Sequence, residues 1–254
     1  MQRFEGKTVI ITGSGSGIGQ GIARRFAEEG ANVVLAGRTR ARLDETAAEF
    51  DPRRTFVKLC DVRKHAQVEQ LVVAAVRKFG GLDVMVNNAG VGPEGSATDV
   101  SLDDWDDAIR TDLSGVFYGC RAALPHLLER QGCIVNTASV SGLGADWALT
   151  AYNAAKGGVV NLTRALALDY GRQGVRVNAV CPSLTRSNMT REMFANKALM
   201  RKFMERLPLG RAAEPADIAA VVAFLASDDA RFVNGVNLPV DGGLTASNGQ
   251  PAMS

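Results

Sequence analysis

Three polar side chains stand at intervals that could move a proton. Ser139 follows a β-branched run, Tyr152 comes thirteen positions later, and Lys156 stands four beyond Tyr152. In a helix Tyr152 and Lys156 share a face, because residues i and i+4 lie one turn apart. An isolated phenol has a pKa of about 10, and a neighbouring ammonium favours the phenolate and lowers that value. So placed, Tyr152 could give or take a proton near neutral pH, while the Ser139 hydroxyl holds a substrate oxygen for the transfer. Taken alone, Tyr-x-x-x-Lys also fits a pair on a surface helix.

A second group could hold a phosphate. Thr12-Gly13-Ser14-Gly15-Ser16-Gly17-Ile18-Gly19 follows a short apolar run and opens into a helical pattern. Glycine permits a tight turn and removes side chains where backbone must approach a pyrophosphate, and the free N–H groups of the helix start then face the anion. The placement between a first strand and a first helix points to a nucleotide more than to a merely flexible loop. In the common dinucleotide fingerprint an acidic residue about 20 positions on holds the adenosine ribose hydroxyls. Here that place reads Ala36-Gly37-Arg38. A guanidinium beside a glycine suits a forked contact to a 2′-phosphate, which predicts NADP ahead of NAD. The competing reading is a solvated loop arginine, as Arg40 and Arg42 nearby could be.

The elements that must carry these groups alternate. Strands are expected at Thr8–Thr12, Asn32–Ala36, Thr55–Leu59, Val84–Asn87, Cys133–Thr137, Val175–Val180 and Val236–Val240. Helices are expected at Gly17–Glu29, Arg40–Phe50, Lys64–Phe79, from Ser101 to Arg130 with a break near Asp112, at Ala151–Gly171, irregularly over Asn188–Arg206, and at Glu214–Ala226. This alternation predicts βαβ units and one α/β domain, a doubly wound seven-stranded parallel sheet with helices on both faces. No linker or repeat divides residues 1–254, and only the polar stretch 245–254 is expected to fray.

Composition narrows the partners. Lys and Arg total 29 against 27 Asp and Glu, so nothing predicts nucleic acid or an anionic membrane surface. A hydrophobic content of 46% excludes disorder for the chain as a whole. No apolar run reaches the 18 residues or more of a membrane span, and the polar start Met1–Lys7 predicts no signal peptide. Cys60, Cys120, Cys133 and Cys181 form no Cys-x-x-Cys pair, and reduced thiols in a cytoplasm are expected. With only His65 and His126, a His-rich metal cluster is not predicted.

Together the motifs resemble the short-chain dehydrogenase/reductase family. The resemblance runs from Lys7 to Gly243 through six ordered segments: Thr12 to Gly19, Asp61-Val62, Asn87 to Gly90, Ser139, Tyr152 to Lys156, and Val240-Asp241-Gly242-Gly243. It implies a single-domain Rossmann fold, hydride transfer at a nicotinamide, and no metal. It implies Tyr152 as general acid/base, Ser139 as the group orienting the carbonyl, and Lys156 as the ribose-binding residue that depresses the Tyr152 pKa. It puts Gly13, Ser14, Ser16, Gly17, Ile18 and Gly19 at the cofactor, with Asp61 and Val62 at its adenine. Asn88, Ala89 and Gly90 pack against the cofactor, and for Asn88 a structural role is an equal alternative.

Three positions depart from the family pattern. Asp112 stands where the family has a catalytic Asn in a helix kink; an Asp keeps the backbone carbonyl through which that role works, so activity is expected. Its carboxylate is expected to raise the lysine pKa and weaken the lysine's effect on Tyr152. Pro182-Ser183 replaces the family's Pro-Gly, and Thr185 and Ser187 stand at the contacts to the nicotinamide carboxamide. Substrate is expected between Ser141–Thr150 and a lid over about residues 184–207, where Met and Phe side chains fit either an apolar ketone or plain packing. The leading expectation is an NADP-dependent oxidoreductase interconverting a ketone or aldehyde and an alcohol. The alternatives are a 3-oxoacyl-[acyl-carrier-protein] reductase and a catalytically silent nucleotide-binding protein. Enoyl reduction is disfavoured, since relatives that perform it place six residues between Tyr and Lys, and here there are three. A homotetramer or homodimer through the helices Asp104–Arg130 and Ala151–Gly171 is implied.

Overall fold

The computed structural model describes residues 2–250. Its seven strands are β1 Thr8–Thr12, β2 Asn32–Gly37, β3 Thr55–Leu59, β4 Val84–Asn87, β5 Cys133–Thr137, β6 Arg176–Pro182 and β7 Asn237–Val240. They form one sheet in the order β3-β2-β1-β4-β5-β6-β7, and every neighbouring pair is parallel. The runs Thr-Val-Ile-Ile-Thr and Cys-Ile-Val-Asn-Thr are buried along their whole length, as strands covered on both faces must be. This is the doubly wound, Rossmann-type α/β architecture. The strand order reverses between β1 and β4, so a crevice opens beyond their carboxyl ends, where such sheets bind ligands.

Side chains alternate between two cores. Ile10, Val34, Met85, Ile134 and Val177 face helices α3 (His65–Phe79), α5 (Gly115–Arg130) and α7 (Thr150–Tyr170). Val9, Ile11, Val33, Val86 and Val135 face α1 (Gly17–Glu28) and α10 (Pro215–Ala226). The period of two in the strands puts one apolar set on each face.

Helix α2 covers Arg40–Ala47 and stops short of the expected Phe50. The long helical stretch starts at α4, Leu102–Ala108, where the Ser101 hydroxyl accepts from the Asp104 N–H at 3.0 Å. Its expected break is a π-helical segment, Ile109–Ser114, that contains Asp112. A short α6, Val140–Leu143, was not legible in the sequence. The irregular region resolves into α8, Arg191–Ala195, and α9, Lys197–Arg206, neither of which has a buried residue. Of the stretch expected to fray, Thr245 is held by Asp241, whose Oδ2 accepts from its N–H and hydroxyl at 2.8 and 2.6 Å; residues 251–254 lie outside the described residues. Among the described residues no helix is long and apolar enough to cross a membrane.

Candidate active site

The glycine-rich turn leaves β1 and enters α1 at the crevice. Gly13 and Gly17 have φ of +68° and +54°, which non-glycine residues seldom adopt. A Cβ on Gly19 would lie 2.3 Å from the Gly13 carbonyl oxygen and 2.5 Å from Asn88 Nδ2. Gly19 therefore folds the turn onto itself and onto the end of β4. Ser16 is the N-cap of α1, its side chain caps nothing, and the first turn holds no acidic residue. The helix start is thus left open to an anion. The opposite wall is the segment after β6, since a Cβ on Gly17 would meet Ser187 Cβ at 3.0 Å.

Two residues assigned to the cofactor by resemblance use their side chains differently. Ser14 is fully buried, and its hydroxyl accepts from the Ala36 N–H at 3.0 Å and faces the Ala36 carbonyl at 3.4 Å. It ties the turn to β2 and presents no hydroxyl to a ligand. Asn88 Nδ2 donates to the Thr12 carbonyl at 3.0 Å, while the N–H groups of Asn88 and Ala89 donate to Thr12 Oγ1. The structural reading of the Asn88 side chain is the one the geometry favours.

At the end of β2, Arg38 and Arg40 differ. Arg40 is committed to Asp44 at 2.8 Å, whereas Arg38 is exposed and in no ion pair among the described residues. Asp61 is held by Arg63 at 2.8 Å, and Val62 is buried beside it against Gly115. Pro182, Leu184 and Thr185 are buried at the end of β6. The Thr185 hydroxyl donates to the Ser183 carbonyl at 3.0 Å, and Ser187 and Thr190 share a hydrogen bond at 3.1 Å. An open helix start, a left-handed glycine and an unpaired guanidinium one strand away fit the phosphates of a dinucleotide.

The proton-moving group assembles from β5, α7 and the π-helical segment. Lys156 is buried; its Nζ donates to the Thr137 carbonyl at 3.0 Å and lies 5.5 Å from the centre of the Tyr152 ring. Asp112 is wholly buried, and its Oδ2 sits 3.1 Å from Lys156 Nζ. That contact is an ion pair without hydrogen-bond alignment, because Oδ2 has no hydrogen-bond partner. Asp112 Oδ1 accepts from the Val91 N–H at 2.8 Å. A Cβ on Gly90 would meet Asp112 Oδ2 at 2.9 Å, so Gly90 makes room for this carboxylate. Ser139 stands two residues past β5 as the N-cap of α6, its hydroxyl donates to Ser141 Oγ at 3.0 Å, and it favours the ionised form of Tyr152.

Burial and charge act against each other at Tyr152. Burial pushes the Tyr152 phenol up; Lys156 pulls it down, Asp112 pushes it up again, and the net direction is upward. In this arrangement burial and Asp112 oppose the acidifying effect of Lys156 that the Tyr-x-x-x-Lys spacing predicts. The physical reason is loss of solvation, with a carboxylate that partly offsets the ammonium. Burial alone would lower Lys156, but Asp112 and Tyr152 outweigh it and hold the lysine above its ordinary value. That direction agrees with the effect expected of Asp112. Burial raises the Asp112 carboxyl against the pull of Lys156 and the Val91 N–H.

Sequence reasoning missed the support of this site. Asn136 Oδ1 accepts from Asn87 Nδ2 at 2.9 Å, and Asn136 Nδ2 donates to Thr163 Oγ1 at 3.0 Å, which ties β4, β5 and α7 together. An Asn within each of two apolar strands was the available signal. Ser141 and Asp146, which join the Ser139 hydroxyl, carried none.

Comparisons with known proteins define the family. A family model described as enoyl-(acyl carrier protein) reductase matches residues 13–245. A meso-2,3-butanediol dehydrogenase from Serratia marcescens is 54% identical over 98% of both chains. A 3-oxoacyl-[acyl-carrier-protein] reductase from Thermotoga maritima is 36% identical over 95% of this chain and 99% of its own. The crystal structure of a 3-ketoacyl-(acyl-carrier-protein) reductase from Brucella melitensis complexed with NADH superposes with a TM-score of 0.87. It shares 36% identity and covers 95% of this chain and 99% of its own. The chain belongs to the short-chain dehydrogenase/reductase family. It is an NAD(P)-dependent oxidoreductase acting on CH–OH groups.

Proposed function

We propose that this chain is an NADP-dependent oxidoreductase interconverting a small ketone and a secondary alcohol, with a vicinal diol and its hydroxyketone as the substrate class. The observation that carries the reading is the convergence of Ser139, Tyr152 and buried Lys156 beside the crevice where the strand order reverses. The 54% identity to a meso-2,3-butanediol dehydrogenase supports the substrate class. The three-residue spacing between Tyr152 and Lys156 supports carbonyl over enoyl reduction.

When bound, the dinucleotide supplies the hydride in reduction and accepts it in oxidation. Gly17 and the open start of α1 face its phosphates, and Arg38 selects the 2′-phosphate. Tyr152 moves the proton at the substrate oxygen, Ser139 orients that oxygen, and Lys156 holds positive charge beside the phenol. Asp112 sets the strength of that charge. Residues 184–207 act as a lid over one domain. The absence of buried residues in α8 and α9 supports a movable segment. Phe117 on α5 and Leu168 on α7 are exposed, 40% and 82%, which supports a homotetramer or homodimer through these helices.

The test is Tyr152→Phe assayed with meso-2,3-butanediol and NADP. Loss of at least about 100-fold in kcat with cofactor binding intact is the expected result; near-normal turnover overturns the reading. Turnover on acyl thioesters but not on the diol would replace this substrate class with that of the Thermotoga relative.

A further inference from the structure

Arg63 follows Asp61-Val62 and links the end of β3 to α4. Its Nη2 donates to Asp61 Oδ2 at 2.8 Å, its Nε donates to Asp61 Oδ1 at 3.0 Å, and its backbone N–H donates to the same Oδ1 at 3.1 Å. On the far edge of the guanidinium, Nη1 donates to Asp107 Oδ1 on α4 at 2.6 Å. The Asp61 backbone is fixed as well, since its N–H donates to Gln67 Oε1 at 2.8 Å. A forked contact of this kind, partly shielded from water, fixes the orientation of both partners.

The same carboxylate lies near Arg38. Strands β2 and β3 run parallel with Gly37 opposite Leu59, and the Cys60 N–H donates to the Gly37 carbonyl at 2.9 Å. Arg38 and Asp61 thus leave neighbouring strand ends just past that pair. Arg63 is the main cause that holds the Asp61 carboxyl below its ordinary value, and the charge of Arg38 contributes too. Yet Asp61 pairs with Arg63, while Arg38 stays exposed and in no ion pair among the described residues. A carboxylate has about four lone-pair positions. Arg63 takes both on Oδ1 and one on Oδ2, which leaves too few for a forked contact with a second guanidinium. Without Arg63, Asp61 would present its full charge to Arg38. A 2′-phosphate would then have to displace a carboxylate to reach that guanidinium.

We infer that Arg63 is a positioning residue for cofactor specificity: by holding Asp61 it keeps that carboxylate from pairing with Arg38 and leaves Arg38 to the 2′-phosphate of NADP. The inference rests on Arg38 as the group that selects this phosphate. Arg63 acts here through Asp61 and needs no contact with the dinucleotide. Loss of Arg63 should weaken NADPH more than NADH, because only NADPH needs Arg38. The expected change is roughly twofold to fivefold, the worth of an ion pair near the surface. General damage to this end of the crevice would weaken both dinucleotides alike.

The experiment titrates NADPH and NADH by nicotinamide fluorescence and takes the ratio of their affinities, a readout that needs no turnover. Arg63→Gln should lower the NADPH-to-NADH ratio by the factor above. In an Asp61→Asn background Arg63→Gln should change the ratio no further, because the competing charge is gone. In an Arg38→Ala background it should also change nothing, because the guanidinium it protects is gone. Asp107 loses Arg63 in both backgrounds, so an effect through Asp107 would persist there. Asp61→Asn alone barely alters shape and is available even if Arg63→Gln melts early; it should not lower the ratio. An unchanged ratio in Arg63→Gln, a fall that persists in either background, or a lowered ratio in Asp61→Asn overturns the inference. If Arg38→Ala leaves the ratio unchanged, the cofactor reading itself fails; if Arg38→Ala collapses the ratio while Arg63→Gln does not move it, only the role of Arg63 fails.

Discussion

The Lys156 ammonium lies 3.1 Å from the Asp112 carboxylate, and neither side chain is more than 4% exposed. A buried charge of each sign is thus placed beside the phenol that is proposed to move the proton. At the phenol the ammonium favours phenolate and the carboxylate opposes it.

Asp112→Asn removes the opposing charge and keeps an acceptor for the Val91 N–H. Lys156 then loses its main counter-charge, and Tyr152 and Cys181 are left to favour its ammonium against burial. The potential at Tyr152 becomes more positive, so its pKa falls. Oxidation requires the deprotonated phenol, and the rising limb of its pH–rate profile should move to lower pH. A profile measured across the neutral and alkaline range checks this; no movement, or movement to higher pH, shows that the two groups are not coupled in this way.

Asp112→Ala is a stability test. It strands a buried ammonium and orphans the Val91 N–H, and breaking a buried pair from one side costs about 3–5 kcal/mol. Urea unfolding of the two proteins gives the number. A loss below about 1 kcal/mol, the range of an exposed pair, would mean that water reaches this site.

Arg38→Ala addresses the cofactor. The guanidinium has no other partner among the described residues, so its removal should leave the fold intact. Hydrogen bonds to a charged group are worth about 1.5–3 kcal/mol, so KM for NADP should rise roughly tenfold to a hundredfold. KM for NAD should hardly change. Equal effects on both cofactors would return Arg38 to the status of a solvated loop residue.

Gly19→Ala tests the turn. The added Cβ would come within 2.3 Å of a backbone oxygen, a contact that only backbone movement can relieve. Overpacking of this kind costs about 1–3 kcal/mol. Cofactor affinity should fall together with the unfolding midpoint, both measurable by titration and thermal melt. Gly144→Ala meets nothing within 4 Å and should change neither.

Much of the fold was legible because its signals are local. Short apolar runs alternating with helical patterns read as the strands of βαβ units, and all seven pair as parallel strands. The break at Asp112 was readable as a disturbance, but its π-helical form depends on what packs around it. Helix α2 ended early because helical propensity extended the pattern while only Leu43 and Thr46 found the core.

The site divides the same way. Spacing along the chain determined that Tyr152 and Lys156 share a helix face and that the glycines open α1, since both are matters of one or two turns of backbone. Only the tertiary structure decided the state of those groups. It buried Asp112 against Lys156, set that carboxylate to oppose the ammonium at Tyr152, gave the Ser14 hydroxyl to Ala36, and joined Ser139 to Ser141 and Asp146. Desolvation and Coulomb terms act through space between residues far apart in the chain, and no reading of neighbours in sequence contains those distances.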